Sequence, residues 1–139
     1  MFGFCSHSIV SMKDKYKVIV KTDLMNLPKD HELAAALILA NHFKTDVMFL
    51  RPGNKKTPDI DVKGKKWEIK SPKGDSKKTI ENNLRNARKQ SQNIVLDLAR
   101  SKMHTARAIA RARFYMRTEA HNIKQLIIIT KAGRVIDIL

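Results

Sequence analysis

Four residues in the middle of the chain have the types and spacing of a metal-assisted hydrolytic site. Glu68 and Lys70 stand two apart in Trp67-Glu68-Ile69-Lys70, and Asp59 and Asp61 stand two apart in Pro58-Asp59-Ile60-Asp61. Side chains alternate across a strand, so Glu68 and Lys70 project from one face and Trp67 and Ile69 from the other. A carboxylate and an ammonium between apolar neighbours are costly to desolvate unless they are paired or put to use. Asp59 and Asp61 likewise share a face, and a hairpin between the two segments brings that face beside Glu68 and Lys70. Converging acids with one ammonium suit a hard divalent cation, which takes oxygen ligands and keeps positions for water and a phosphate oxygen. The bland alternative is a solvated hairpin with alternating charges, because short motifs often match by chance. Pro-Asp at hairpin distance from Glu-x-Lys weighs against it. Whether Asp61 shares the cation with Asp59 or merely faces the same way stays open at this level.

The elements that must hold these residues are readable from period and punctuation. Lys17–Lys21 reads as a short strand with a β-branched centre. Pro28–Phe43 reads as a helix with Pro and acids at its start, followed by a strand over Asp46–Leu50 and a turn at Arg51-Pro52-Gly53-Asn54. Asp59–Val62 and Trp67–Lys70 form the hairpin, turning at Lys63-Gly64-Lys65. Thr79 to about Ser91 is a helix, with Ile80, Leu84, Ala87 and Ser91 on one stripe. Ile94–Leu98 is a strand, Thr105–Ala120 a helix rich in Ala and Arg, and Leu126–Thr130 with Arg134–Ile138 a closing hairpin. The order gives an α/β (α+β) fold with a short mixed sheet flanked by helices. Residues 1–15 read as an irregular segment and 16–139 as one domain, which suits a length of 139 residues.

One further acid and two amides join the list. Glu32 falls near Ala35, Ala36, Leu39 and Phe43 on the apolar side of its helix, which suggests an inward role. Its alternative is a first-turn acid that complements the helix dipole. Asn83 and Gln90 flank the Ile80–Leu84–Ala87 stripe and are either site-facing amides or an ordinary polar flank.

Composition narrows the partner. The 28 Lys and Arg against 13 Asp and Glu give a formal charge of +15, which points to a polyanion such as nucleic acid. Lys73, Lys77 and Lys78 follow the Glu-x-Lys strand directly. His104, Arg107 and Arg111 line one helical stripe, and Arg113 and Arg117 another, as rows that track a phosphate backbone without reading sequence. Trp67 alternates away from Glu68, which favours a core position over base stacking. Cys5 is the single cysteine, so neither an intrachain disulfide nor a thiolate metal cluster is expected. The longest apolar run, Leu33–Ala40, is far short of the roughly 20 residues of a spanning helix, and no secretory signal is evident. The cytosol is the expected site of action, with no membrane partner.

The pattern Glu32, then Thr57-Pro58-Asp59, then Trp67-Glu68-Ile69-Lys70, resembles the PD-(D/E)XK nuclease superfamily. More narrowly, HELAAALILA, KKTPDIDVKGKKWEIKSPKG and ARKQSQNIVLDL resemble the C-terminal tRNase toxin domains of contact-dependent growth inhibition proteins of the CdiA type. The resemblance implies a sheet-and-helix core in which Asp59 and Glu68 hold Mg²⁺ or Mn²⁺ and Glu32 completes the acidic shell. It implies that Lys70 orients the attacking water, that tRNA is the substrate, and that an acidic immunity protein is a partner. The chain begins with Met and carries no delivery module, so it is expected to be either a fragment of a larger toxin or a free-standing relative, as from a mobile element. Two other readings remain at this level. A DNA endonuclease would use the same residues, and a non-catalytic nucleic-acid-binding module would explain the charge but not the Asp, Glu and Lys on one face.

Overall fold

The structure, a computed structural model, describes residues 5–9, 16–22, 27–50, 58–119 and 122–139. The turn expected at 51–54 and Thr57 of the Thr-Pro-Asp pattern lie outside them. Internal contacts divide the chain, expected to form one domain from residue 16, into two compact units, Met1–Trp67 and Glu68–Leu139.

The first unit carries strands β1 (Cys5–Ile9), β2 (Val18–Thr22), β3 (Val47–Phe49) and β4 (Ile60–Val62), the start of β5 (Lys65–Lys70), and helix α1 (Asp30–Phe43). β1 corrects the expectation of an irregular N-terminus. Its Cys-Ser-His-Ser-Ile sequence has weak strand preference, and antiparallel pairing with β2 overrides it. β2 and β3 run parallel, and β3, β4 and β5 antiparallel. The β4–β5 hairpin turns over Lys63 and Gly64, at φ of 53° and 84°. Two successive positive φ angles match the twist of a two-residue hairpin, and glycine takes the second at no steric cost. Ala35, Ala36, Leu39 and Ala40 bury one side of α1. Trp67 is 1% exposed, with its ring 5.4 Å from that of Phe43, so the core role expected for it holds.

The second unit carries the rest of β5, α2 (Thr79–Ala87), β6 (Asn93–Asp97), α3 (Thr105–Thr118), β7 (Gln125–Ile129) and β8 (Val135–Asp137). β5, β6 and β7 are parallel, as the helical crossovers between them require, and β8 returns antiparallel. α2 stops a turn short of the expected Ser91. The chain turns at Arg88–Gln90, where the Gln90 N–H reaches the Ala87 carbonyl. Ile80, Leu84 and Ala87 of α2 and Ala108, Ala112 and Tyr115 of α3 pack with Ile94, Leu96, Leu126 and Ile128. Each large apolar side chain so buried stabilises the unit by about 1.5–3 kcal/mol. Both units are mixed sheets with helices, the expected fold class.

Candidate active site

The register of the second unit decides which way the central charges point. Glu68 pairs with Ile94 and Lys70 with Leu96, and those two pair in turn with Leu126 and Ile128. Paired residues of a parallel ladder share a face, so Glu68 and Lys70 lie on the face where α2 and α3 pack. Ile69, Val95 and Asp97 lie on the opposite face. Glu68 is 3% exposed, and its Oε2 is 3.3 Å from Lys70 Nζ. The lysine side chain keeps a quarter of its surface in water. An ion pair two residues apart along one strand is thus built into the sheet, with its carboxylate buried and its ammonium at the rim.

The loops that follow the parallel strands meet beside this pair. Arg100, after β6, donates from Nε to Ser71 Oγ at 3.1 Å and from Nη2 to the Ser71 carbonyl at 3.3 Å. The Lys102 N–H donates to the Lys73 carbonyl at 3.1 Å. Asp97 is 2% exposed and its Oδ1 accepts from the Ala99 N–H at 3.1 Å, which shapes the bend into the Arg100 loop. Carboxyl ends of parallel strands are where open α/β sheets place ligands. Sequence reading missed Arg100 and Asp97, and position after a parallel strand was the signal that would have found Arg100.

The remaining expected residues have definite positions. Lys73, Lys77 and Lys78 are exposed on the loop leading into α2. His104 and Arg107 are exposed and Arg111 half-buried at the start and middle of α3, while Arg113 and Arg117 line a shallow groove with Met116, Ile138 and Leu139. Asn83 donates from Nδ2 to the Thr79 carbonyl at 2.8 Å, a bond inside its own helix. Gln90 lies in the turn after α2 and not on the helix where it was expected.

In the first unit, the Asp59 N–H donates to the Trp67 carbonyl at 3.0 Å, although Trp67 pairs with Ile60. The ladder is therefore offset by one residue at Asp59. Asp61 Oδ1 accepts from the Gly64 N–H at 2.7 Å, so its carboxylate stabilises the hairpin turn. Glu32 is half-buried, and its Oε1 accepts from the Lys29 N–H at 2.8 Å. It is the third residue of α1 and satisfies a helix-start N–H, which makes it a cap on the first turn. Among the described residues no group of three or more His, Cys, Asp or Glu side chains is arranged to hold a metal ion. Among them, too, no helix is long and apolar enough to cross a membrane.

Comparison with known proteins adds two findings. Residues 55–135 match the family model described as contact-dependent growth inhibition CdiA C-terminal domain. That span holds Asp59, Glu68, Lys70 and the parallel strands β5, β6 and β7. Among solved structures, the CdiA-CT/CdiI toxin and immunity complex from Burkholderia pseudomallei contains a similar chain. The match has a TM-score of 0.55 and 21% identity, and covers 85% of this chain and 96% of that one. At that identity the likeness is one of fold. No curated protein sequence matches the chain.

Proposed function

Because the chain belongs to the contact-dependent growth inhibition CdiA C-terminal domain family, we propose that it is the toxin part of such a system and acts as a nuclease. The reaction is hydrolysis of phosphodiester bonds in RNA, with tRNA the favoured substrate, by a site of the PD-(D/E)XK type. The observation that carries this reading is the ion pair of Glu68 and Lys70, a 3%-exposed carboxylate with an ammonium 3.3 Å away. A binding module needs surface cations but has no use for a buried acid of this kind.

Glu68 is the carboxylate through which the site would hold Mg²⁺ or Mn²⁺. Mg²⁺ is typically held by one or two carboxylates plus water and phosphate oxygens, so oxygen donors in this small number fit it without a three-acid cage. When bound, such a cation polarises the phosphodiester and lowers the pKa of its water. Lys70 holds its ammonium at the rim, where it orients the attacking water and offsets charge that builds on the phosphate. Lys73, Lys77, Lys78, Arg107 and Arg111 supply sequence-independent contacts to the backbone. Glu32 and Asp61 serve the fold through the helix start and the hairpin turn, and Asn83 and Gln90 stay outside the chemistry.

The toxin reading brings two partners. The similar solved chain comes from a toxin and immunity complex, and a chain of charge +15 suits an acidic immunity protein that covers its basic face. The nucleic-acid partner is met in the cytosol of a target cell after delivery as part of a larger protein.

The test is incubation of purified protein with total tRNA, rRNA and plasmid DNA, with and without Mg²⁺, beside Glu68→Gln. Mg²⁺-dependent tRNA cleavage that is lost in the variant is expected. Cleavage of plasmid alone would move the substrate to DNA and keep the site. Binding of all three without cleavage would leave a binding module and end the nuclease reading.

A further inference from the structure

Arg100 is a half-buried guanidinium whose hydrogen-bond partners are both neutral. Its Nε and Nη2 bond the hydroxyl and carbonyl of Ser71, and among the described residues no carboxylate pairs with it. Arg85 shows the ordinary alternative, with Nη2 donating to both oxygens of Glu119 at 3.2 Å. A guanidinium removed from water gains from an anion far more than from neutral acceptors, and its planar fork matches a phosphate. The two bonds to Ser71 fix the plane of the group and do not engage Nη1. Ser71 is the residue after Lys70, so the tether places this charge one residue from the end of the Glu68–Lys70 strand. The second tie between the same loops, from the Lys102 N–H to the Lys73 carbonyl, holds the arrangement against a long side chain's freedom.

The geometry points to Arg100 as a phosphate-binding residue of the candidate site, presented to the nucleic-acid backbone by Ser71. Its role is to take a non-bridging phosphate oxygen while Lys70 serves the reacting centre. The inference rests on the nuclease reading, but its binding readout is independent of cleavage.

The experiment measures binding of a fluorescein-labelled tRNA transcript by anisotropy across a salt series without divalent cation, and separately the cleavage kinetics with Mg²⁺. The proteins are wild type, Arg100→Met, Arg100→Gln, Arg100→Lys and Glu68→Gln, each checked by thermal melting. Neutralising a phosphate contact lowers the salt slope of log K by about one and leaves other contacts intact. Arg100→Met and Arg100→Gln are expected to show that drop, together with a loss in kcat/KM of about 100-fold. Arg100→Lys should restore the slope but only part of the rate, because an ammonium cannot reproduce the fork. Arg100→Gln can still bond the Ser71 carbonyl, so it reports on charge even if Arg100→Met fails to fold. A wild-type salt slope in Arg100→Gln overturns the inference, and does so whatever Glu68→Gln shows. Loss of cleavage in Glu68→Gln with that unchanged slope leaves the nuclease reading standing. Retained cleavage in Glu68→Gln removes Glu68 from the chemistry, and a slope drop in Arg100→Gln would then still identify the phosphate contact.

Discussion

Removal of one partner of the Glu68–Lys70 pair should destabilise the protein unequally. Unit charges 3.3 Å apart attract by about 5 kcal/mol at an effective dielectric of ~20 and by about 1 kcal/mol in bulk water. Lys70 keeps a quarter of its side chain in water while Glu68 keeps only 4%, so a coupling of about 2–4 kcal/mol is expected. Lys70→Met strips the buried carboxylate of its ammonium and should cost nearly all of that. At roughly 4 °C per kcal/mol for a chain of this size, the melting temperature falls by about 10 °C. Glu68→Gln leaves an ammonium that can turn to solvent, so its cost is about 1 kcal/mol. The double variant Glu68→Gln/Lys70→Met removes both charges and should recover much of the loss, yet remain unable to cleave. Urea denaturation of all four proteins closes the cycle. A coupling below about 0.5 kcal/mol, or a Glu68→Gln cost above that of Lys70→Met, would refute the argument.

Three other substitutions test the scaffold. Trp67→Ala empties a site that is 1% exposed against Phe43, and chemical denaturation should show a loss of about 3–5 kcal/mol. Lys63→Asn places a residue that tolerates the left-handed region at φ 53°, and should raise stability by about 0.5–1 kcal/mol in the same assay. Glu119→Gln breaks an ion pair with Arg85 whose side chains are 39% and 46% exposed, and a shift in melting temperature of more than a few degrees would contradict the screening expected there.

Much of the scaffold was legible because its signals are local. The Lys-Gly turn, the alternation about Trp67-Glu68-Ile69-Lys70 and the Ile80–Leu84–Ala87 stripe each depend on neighbours in sequence, and each formed where expected, though the helix of the stripe ends at Ala87 and not at Ser91. β1 was not legible, since its Cys-Ser-His-Ser-Ile residues gain strand geometry only through pairing with β2. Glu32 shows a different limit. A helical wheel gives the direction of Cα–Cβ but not the reach of two methylenes, and here the carboxylate bends back to the Lys29 N–H. Asp61 is alike, with its direction read from alternation and its partner set by the turn. Arg100 depends on tertiary structure outright, because Ser71 comes near it only when β5 and β6 align in parallel.

On the proposed nuclease reading, the pairing of Glu68 with Lys70 would also set the order in which the site fills. With no nucleic acid present, a cation approaching Glu68 competes with an ammonium 3.3 Å away. The two binding events are therefore linked, since a phosphate that draws Lys70 away releases the carboxylate for the cation. Lys70→Met should then bind Mg²⁺ more tightly than wild type while cleaving less. A coupling of about 2 kcal/mol corresponds to roughly a 30-fold change in affinity. If wild type binds at about 10 mM, 10 mM Mg²⁺ stabilises it by about 0.4 kcal/mol and the variant by about 2 kcal/mol. Thermal melting with and without Mg²⁺ reads the difference directly, with Glu68→Gln as the protein in which the gain should vanish. Equal Mg²⁺ shifts in all three would show that the cation does not reach Glu68, and that the buried carboxylate serves the fold.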